Sequence, residues 1–118
     1  MISVGPATRI YLAVGATDLR KSFEGLSDLV RHQFHEDPLN GHLYVFANRL
    51  GNRIKMLFWD GSGLWVATKR LERGTYHWPR TAESETGALR VLAEELTLLL
   101  SGLDVAHTRP RDWWRRAA

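Results

Sequence analysis

The stretch KMLFWDGSGLWVATKRLERG, residues 55–74, decides how this chain folds. It holds two runs of β-forming residues around an Asp60-Gly61-Ser62-Gly63 corner. Upstream, residues 53–59 alternate. Ile54, Met56 and Phe58 fall on one side, and Arg53, Lys55, Leu57 and Trp59 on the other. Downstream, residues 64–71 form a second arm carrying Trp65, Lys69 and Arg70. Two alternating arms around a short glycine-containing corner are a hairpin signal, because glycine takes the positive φ that such turns demand. Asp60, Gly61 and Gly63 therefore read as a structural turn, both glycines supplying positive φ.

Working outward, residues 43–47 are apolar on both sides and predict a central strand. Residues 75–78 predict a last meander strand, closed by Pro79. Residues 9–14 read as a strand, and residues 88–91 as a further short one. Between the first two strands, Leu19, Phe23, Leu26 and Val30 recur at helical spacing. This predicts a helix from a cap at Thr17 or Asp18 to about Phe34. Gly25 inside it predicts a close packing contact, since glycine in a helix costs about 1 kcal/mol against alanine. Leu92, Leu96, Leu99, Leu100 and Leu103 make a second helical stripe, stopped at Gly102. Residues 80–87 are polar and read as a loop. The predicted fold class is α+β: an antiparallel β-meander of about four to six strands with two helices packed mainly on one face. Residues 1–104 form the domain, and residues 105–118 a basic Trp/Arg-rich tail.

The composition, 44% hydrophobic and 25% charged, is that of a globular protein with one core. Without cysteine there is no disulfide framework and no thiolate chemistry, which fits a cytoplasmic protein. No leader-like head and no long apolar run is present, so no signal peptide or membrane contact is expected. The net charge of +3 is unevenly spread. Residues 49–80 carry seven basic and two acidic side chains, residues 81–104 one and five, and residues 105–118 four and one. A basic middle and a basic tail flank an acidic block, and such segregation speaks to partners.

Asp18, Asp60 and Glu72 are the carboxylates to weigh for metal-assisted phosphoryl chemistry. Each has a simpler reading: helix cap, turn residue, and ion-pair partner among arginines. His32, His35 and Glu36 fall at a helix end without a second ligand pair, and so predict no metal site. No phosphate-binding loop and no nucleophile elbow is present, and no cofactor is implied. The basic residues offer more. Arg53 and Lys55 share a strand face with Trp59, and Lys69 shares one with Trp65. If adjacent strands joined these sets, stackable rings would lie beside phosphate-seeking charges. The competing reading has half-buried tryptophans with lysines snorkelling at the rim. In the tail, Arg109, Arg111, Arg115 and Arg116 flank Trp113 and Trp114, either as a DNA-binding arm or docked on the domain.

The run HLYVFANRLGNRIKMLFWDGSGLWVATKRLERGTYHWP, residues 42–79, resembles the accessory TnpB proteins encoded by the second open reading frame of bacterial insertion sequences of the IS-sixty-six type. These are distinct from the RNA-guided nucleases that share the name. The family's lys-x-leu-x-trp-asp-gly-x-gly and lys-arg-leu-glu-x-gly patterns match Lys55 to Gly63 and Lys69 to Gly74. Thr17 to Leu26 and Leu96 to Asp104 resemble its two ends. Leu92 and Ser22 depart from it, standing where members often carry a Ser/Thr cap and a glycine. The resemblance implies a non-catalytic accessory factor for transposition of a mobile element. Its expected partners are element DNA, the transposase and other proteins of the element. A scaffold that binds only the transposase is the alternative. The candidate contacts are Arg53, Lys55, Trp59, Trp65, Lys69, Arg70, Arg73, Arg109, Arg111, Arg115 and Arg116.

Overall fold

A computed structural model describes residues 7–79 and 87–101. Its elements are β1 (Ile10–Ala13), α1 (Phe23–His32), β2 (Leu43–Ala47), β3 (Arg53–Trp59), β4 (Leu64–Arg70), β5 (Ala88–Val91) and α2 (Ala93–Leu100). The strands form one sheet in the order β4-β3-β2-β1-β5. The fold is α+β, as the hydrophobic pattern predicts.

β2, β3 and β4 make the expected antiparallel meander. β1 instead runs parallel to β2, because a helix-containing crossover reverses the chain once more than a hairpin does. β5 returns antiparallel along the far side of β1. The sequence pattern identifies these strands but carries no information on which neighbour each one takes.

Alternation along the strands sorts the core into two layers. Ile10, Leu12, Leu43, Val45, Ala47, Ile54, Leu89 and Val91 face one way and pack with Leu96 and Leu99 of α2. Ala13, Tyr44, Phe46, Leu57 and Ala88 face the other way and pack with Leu26 and Val30 of α1 and with Phe34 just beyond it. The helices thus cover opposite faces, not mainly one. The physical reason is visible in β2, whose residues are all buried: a strand apolar on both sides needs cover on both sides. Each fully buried Leu or Phe contributes roughly 1.5–3 kcal/mol, so both layers matter to stability.

Three local expectations change. Residues 75–78 form no strand. The segment crosses the α2 side of the sheet, burying Tyr76 and Trp78 in that layer. Trp78 Nε1–H donates to the Ala13 carbonyl at 2.8 Å. Helix α1 starts at Phe23, not at a Thr17 or Asp18 cap. Thr17 N–H still donates to the Ala47 carbonyl at 2.7 Å, and the Asp18 carboxylate accepts from Arg20 N–H at 3.0 Å, so this backbone is spent before the helix begins. Past α1, His35 adopts a φ of 56° and Glu36 N–H returns to the Val30 carbonyl, ending the helix. The Gly25 contact is present: a Cβ there would lie 2.9 Å from Lys21 Cβ. Helix α2 opens with Glu95 Oε1 accepting from Leu92 N–H at 2.9 Å. Gly102 and Leu103, the loop over residues 80–86 and the tail lie outside the described residues.

Candidate interaction surface

The β3–β4 hairpin positions four of the five basic candidates among the described residues, Arg53, Lys55, Lys69 and Arg70, so its register decides their arrangement. Arg53 lies opposite Arg70, Lys55 opposite Thr68, Phe58 opposite Trp65, and Ile54 opposite Lys69. Directly opposed residues share a face. Arg53, Lys55, Trp59 and Arg70 are therefore on the α1 side, while Trp65 and Lys69 are on the α2 side with Ile54 and Phe58. The two aromatic–basic sets that the sequence invites one to join are separated by the sheet itself.

The two lysines are engaged with backbone. Lys55 Nζ donates to the Lys21 carbonyl at 2.9 Å, tying β3 to the segment that leads into α1. Lys69 Nζ donates to the Leu100 carbonyl at 2.6 Å, at the last turn of α2. A helix C-terminus has orphan carbonyls and a partial negative charge, so an ammonium there is doubly favoured. Each lysine fastens a helix to one face of the hairpin.

The arginines are differently placed. Arg53, Arg70 and Arg73 are all exposed. Arg70 Nη2 bonds Glu72 Oε1 at 3.1 Å, with both side chains more than half exposed, a contact of small energetic weight. The Arg53 guanidinium has no such partner among the described residues. Two like charges directly opposed across strands repel, by a few tenths of a kcal/mol up to about 1. An incoming anion would meet two cations on one face of the hairpin here, Arg53 without an ion-pair partner among the described residues and Arg70 sharing its charge with Glu72.

The turn is held by one carboxylate. Asp60 Oδ1 accepts from Ser62 N–H at 2.8 Å, Gly63 N–H at 2.9 Å and Ser62 Oγ–H at 3.0 Å. Asp60 Oδ2 accepts from Trp65 Nε1–H at 2.7 Å. The Trp65 bond, then the Ser62 and Gly63 bonds, push the Asp60 carboxyl far below the usual carboxylate range. Gly61 has φ of +100°, but Gly63 is not among the positive-φ residues, so only the first glycine is used for its conformational freedom. Trp65 remains about half exposed (47%), whereas Trp59 is more covered.

The other carboxylates considered for chemistry are also engaged locally. Asp18 bonds the Arg20 guanidinium at 2.8 Å, and its carboxyl is pulled down to about 2, chiefly by that side-chain bond. Glu72 pairs with Arg70. Among the described residues, no three His, Asp or Glu side chains converge as a metal site would require, and His35 is taken up by the turn after α1.

One cluster escapes the sequence reading. At the other end of the α1 side, Tyr11 stacks on Tyr44 at 5.5 Å and meets the His42 ring edge-on at 6.2 Å. Exposed Arg90 lies opposite Tyr11 on β5. Arg9 N–H donates to His42 Nδ1 at 3.0 Å. Burial, then the nearby Arg9 charge, hold His42 below its ordinary pKa. Only the β1–β2 and β1–β5 pairings bring these residues together, so periodicity along one strand could not reveal them. The tail residues Arg109, Arg111, Arg115 and Arg116 lie outside the described residues.

The architecture is a mixed five-stranded sheet with a helix on each face and a heavily basic hairpin. Residues 8–110 match the family model described as IS66 Orf2 like protein, and the chain belongs to that family. It is 38% identical over 115 residues to the uncharacterized protein y4hO of Sinorhizobium fredii, covering 98% of this chain and 96% of that one. A second uncharacterized protein of the same organism, y4jC, is 36% identical over 104 residues, covering 88% and 86%. No solved structure matches. The family associates the chain with insertion-sequence transposition and its machinery, and is not known as a catalytic family. No helix among the described residues is long and apolar enough to cross a membrane.

Proposed function

We propose that this protein is a non-catalytic, cytoplasmic accessory factor in transposition and recombination of its element, acting by contact with element DNA. The observation that carries the reading is the opposed Arg53–Arg70 pair, exposed on one end of the hairpin. A duplex phosphate backbone would remove the repulsion between these guanidinium groups and release counterions as it did so. Arg73 extends the same charge past the end of β4. Arg109, Arg111, Arg115 and Arg116 supply a second block in sequence, suited to the same polyanion. Lys55 and Lys69 contribute less, because their ammonium groups are already hydrogen-bonded to backbone. The carboxylates that a nuclease would need are engaged in a turn and two ion pairs, which supports an accessory role.

The test is binding of element-end and unrelated duplexes over a range of salt. Affinity is expected to fall steeply with salt, and each arginine removed should lower the slope by about 0.9. Arg53→Ala and Arg70→Ala should weaken binding to all sequences alike, since phosphate contacts carry no base code. Lys69→Ala should act mainly on stability. No DNA affinity at low salt, together with a salt-tolerant complex with the transposase, would replace this reading with that of a protein-binding scaffold.

A further inference from the structure

We propose that two copies of this chain associate through β4, pairing antiparallel about a two-fold axis at Ala67 to make one continuous sheet. β4 is the last strand on its side of the sheet, seven residues long, and no described strand pairs with its outer edge. The hairpin bonding tells which backbone groups face out. Asp60 N–H bonds the Gly63 carbonyl at one end, and Leu71 N–H bonds the Asn52 carbonyl at the other. Hydrogen-bonded pairs alternate along an antiparallel ladder, so Trp65, Ala67 and Lys69 direct their backbone groups to β3. Leu64, Val66, Thr68 and Arg70 direct theirs outward.

An edge this long is a liability unless it is paired, bent or guarded by charge. Its guards stand at one end only: Lys69 and Arg70 follow the uncharged run Leu64-Trp65-Val66-Ala67. That asymmetry makes the strand complementary to an inverted copy of itself. With Ala67 opposite Ala67, the whole of both strands overlaps. Val66 then bonds Thr68 of the second copy, and Leu64 bonds Arg70 of the second copy, outward group to outward group. Every cation meets an uncharged residue. Trp65 falls directly opposite Lys69 of the second copy on the α2 side, in a closely spaced non-hydrogen-bonded pair.

The side chains suit that contact. Trp65 is a large, half-exposed ring, already oriented by its Nε1–H bond to Asp60. Lys69 is held on the same face by its bond to the Leu100 carbonyl, and its ammonium has further N–H donors to spare. An alkyl-ammonium chain beside an indole gains both cover and cation–π attraction, twice in a symmetric dimer. Shifting the register by two residues either way loses the Trp65–Lys69 match and leaves strand ends unpaired. Ala67 at the axis keeps side-chain bulk away from the closest approach.

The test is sedimentation of the full chain across a wide concentration range, alongside variants. The wild type is expected to show a concentration-dependent monomer–dimer equilibrium. Thr68→Pro removes an outward N–H that β3 does not use, and should leave a folded monomer by circular dichroism. Trp65→Lys places a cation opposite Lys69 of the second copy and should raise the dissociation constant about tenfold or more, whereas Trp65→Glu should raise it less. Within one copy the Asp60 carboxylate favours a lysine at 65 over a glutamate, so a weaker dimer with Trp65→Lys than with Trp65→Glu runs against that local effect and reports the charge opposite, even if Thr68→Pro unfolds the chain. A wild type that stays monomeric overturns the proposal, as would happen if another segment of the chain covered this edge. Dimers that respond equally to Trp65→Lys and Trp65→Glu, or survive Thr68→Pro unchanged, also overturn it.

Discussion

Gly61 and Gly63 sit two residues apart in the same turn, yet only Gly61 needs to be glycine. Its φ of +100° is one that a β-branched residue adopts at a cost of about 1–3 kcal/mol, whereas Gly63 has an ordinary backbone and open space where a Cβ would go. Gly61→Val should lower the unfolding free energy by about that amount, and Gly63→Ala should leave it within roughly 0.5 kcal/mol. Urea denaturation of both variants checks the contrast. His42 carries a second prediction at this scale. Its Nδ1 accepts from Arg9 N–H, so the folded state needs the ring neutral. Its folded pKa lies below the unfolded value of 6.5, so the unfolded chain binds the proton more readily. The stabilisation is therefore complete above that value and is lost as pH falls through it towards the depressed folded pKa. His42→Asn keeps an acceptor near the Nδ1 position without a titration, and should flatten the stability profile as pH falls below 6.5. An unchanged slope would assign the acid sensitivity to other groups.

At the scale of elements, the hairpin lysines join sheet to helices. Lys69 satisfies the Leu100 carbonyl at the end of α2 from β4, the last strand on its side of the sheet. Lys69→Met keeps the stem and removes the charge. It should cost about 0.5–1.5 kcal/mol and loosen the end of α2 first. Amide exchange at Leu99 and Leu100 should accelerate more than exchange in β2. Equal acceleration everywhere would mean that the contact is felt globally and not as a helix anchor. The hydrophobic periodicity identifies both helices, but the start of α1 follows from hydrogen bonds made ahead of it. Asp18, expected as a cap, is instead closed on Arg20, and Thr17 N–H ahead of it is bonded to the Ala47 carbonyl. Trp78 looked like a strand residue and instead spans the layer to bond the Ala13 carbonyl.

At the scale of the whole molecule, the sequence by itself determined the hairpin, its turn, the buried β2 and the α+β class. These rest on alternation, turn residues and helical spacing, which are local properties of the chain. It also carried the family, through several ordered motifs along most of the domain. Only the tertiary structure decided that β1 runs parallel to β2, that the helices take opposite faces, and that Lys69 and Trp65 are divided from Lys55 and Trp59. The same is true of the opposition of Arg53 to Arg70 and the gathering of Tyr11, His42 and Arg90. The physical reason is common to all of them. Strand partners and helix placement follow from long-range burial, which rewards any arrangement that covers both faces of β2. A period of two says which residues share a face, but which strand lies beside them is settled only when the layers close.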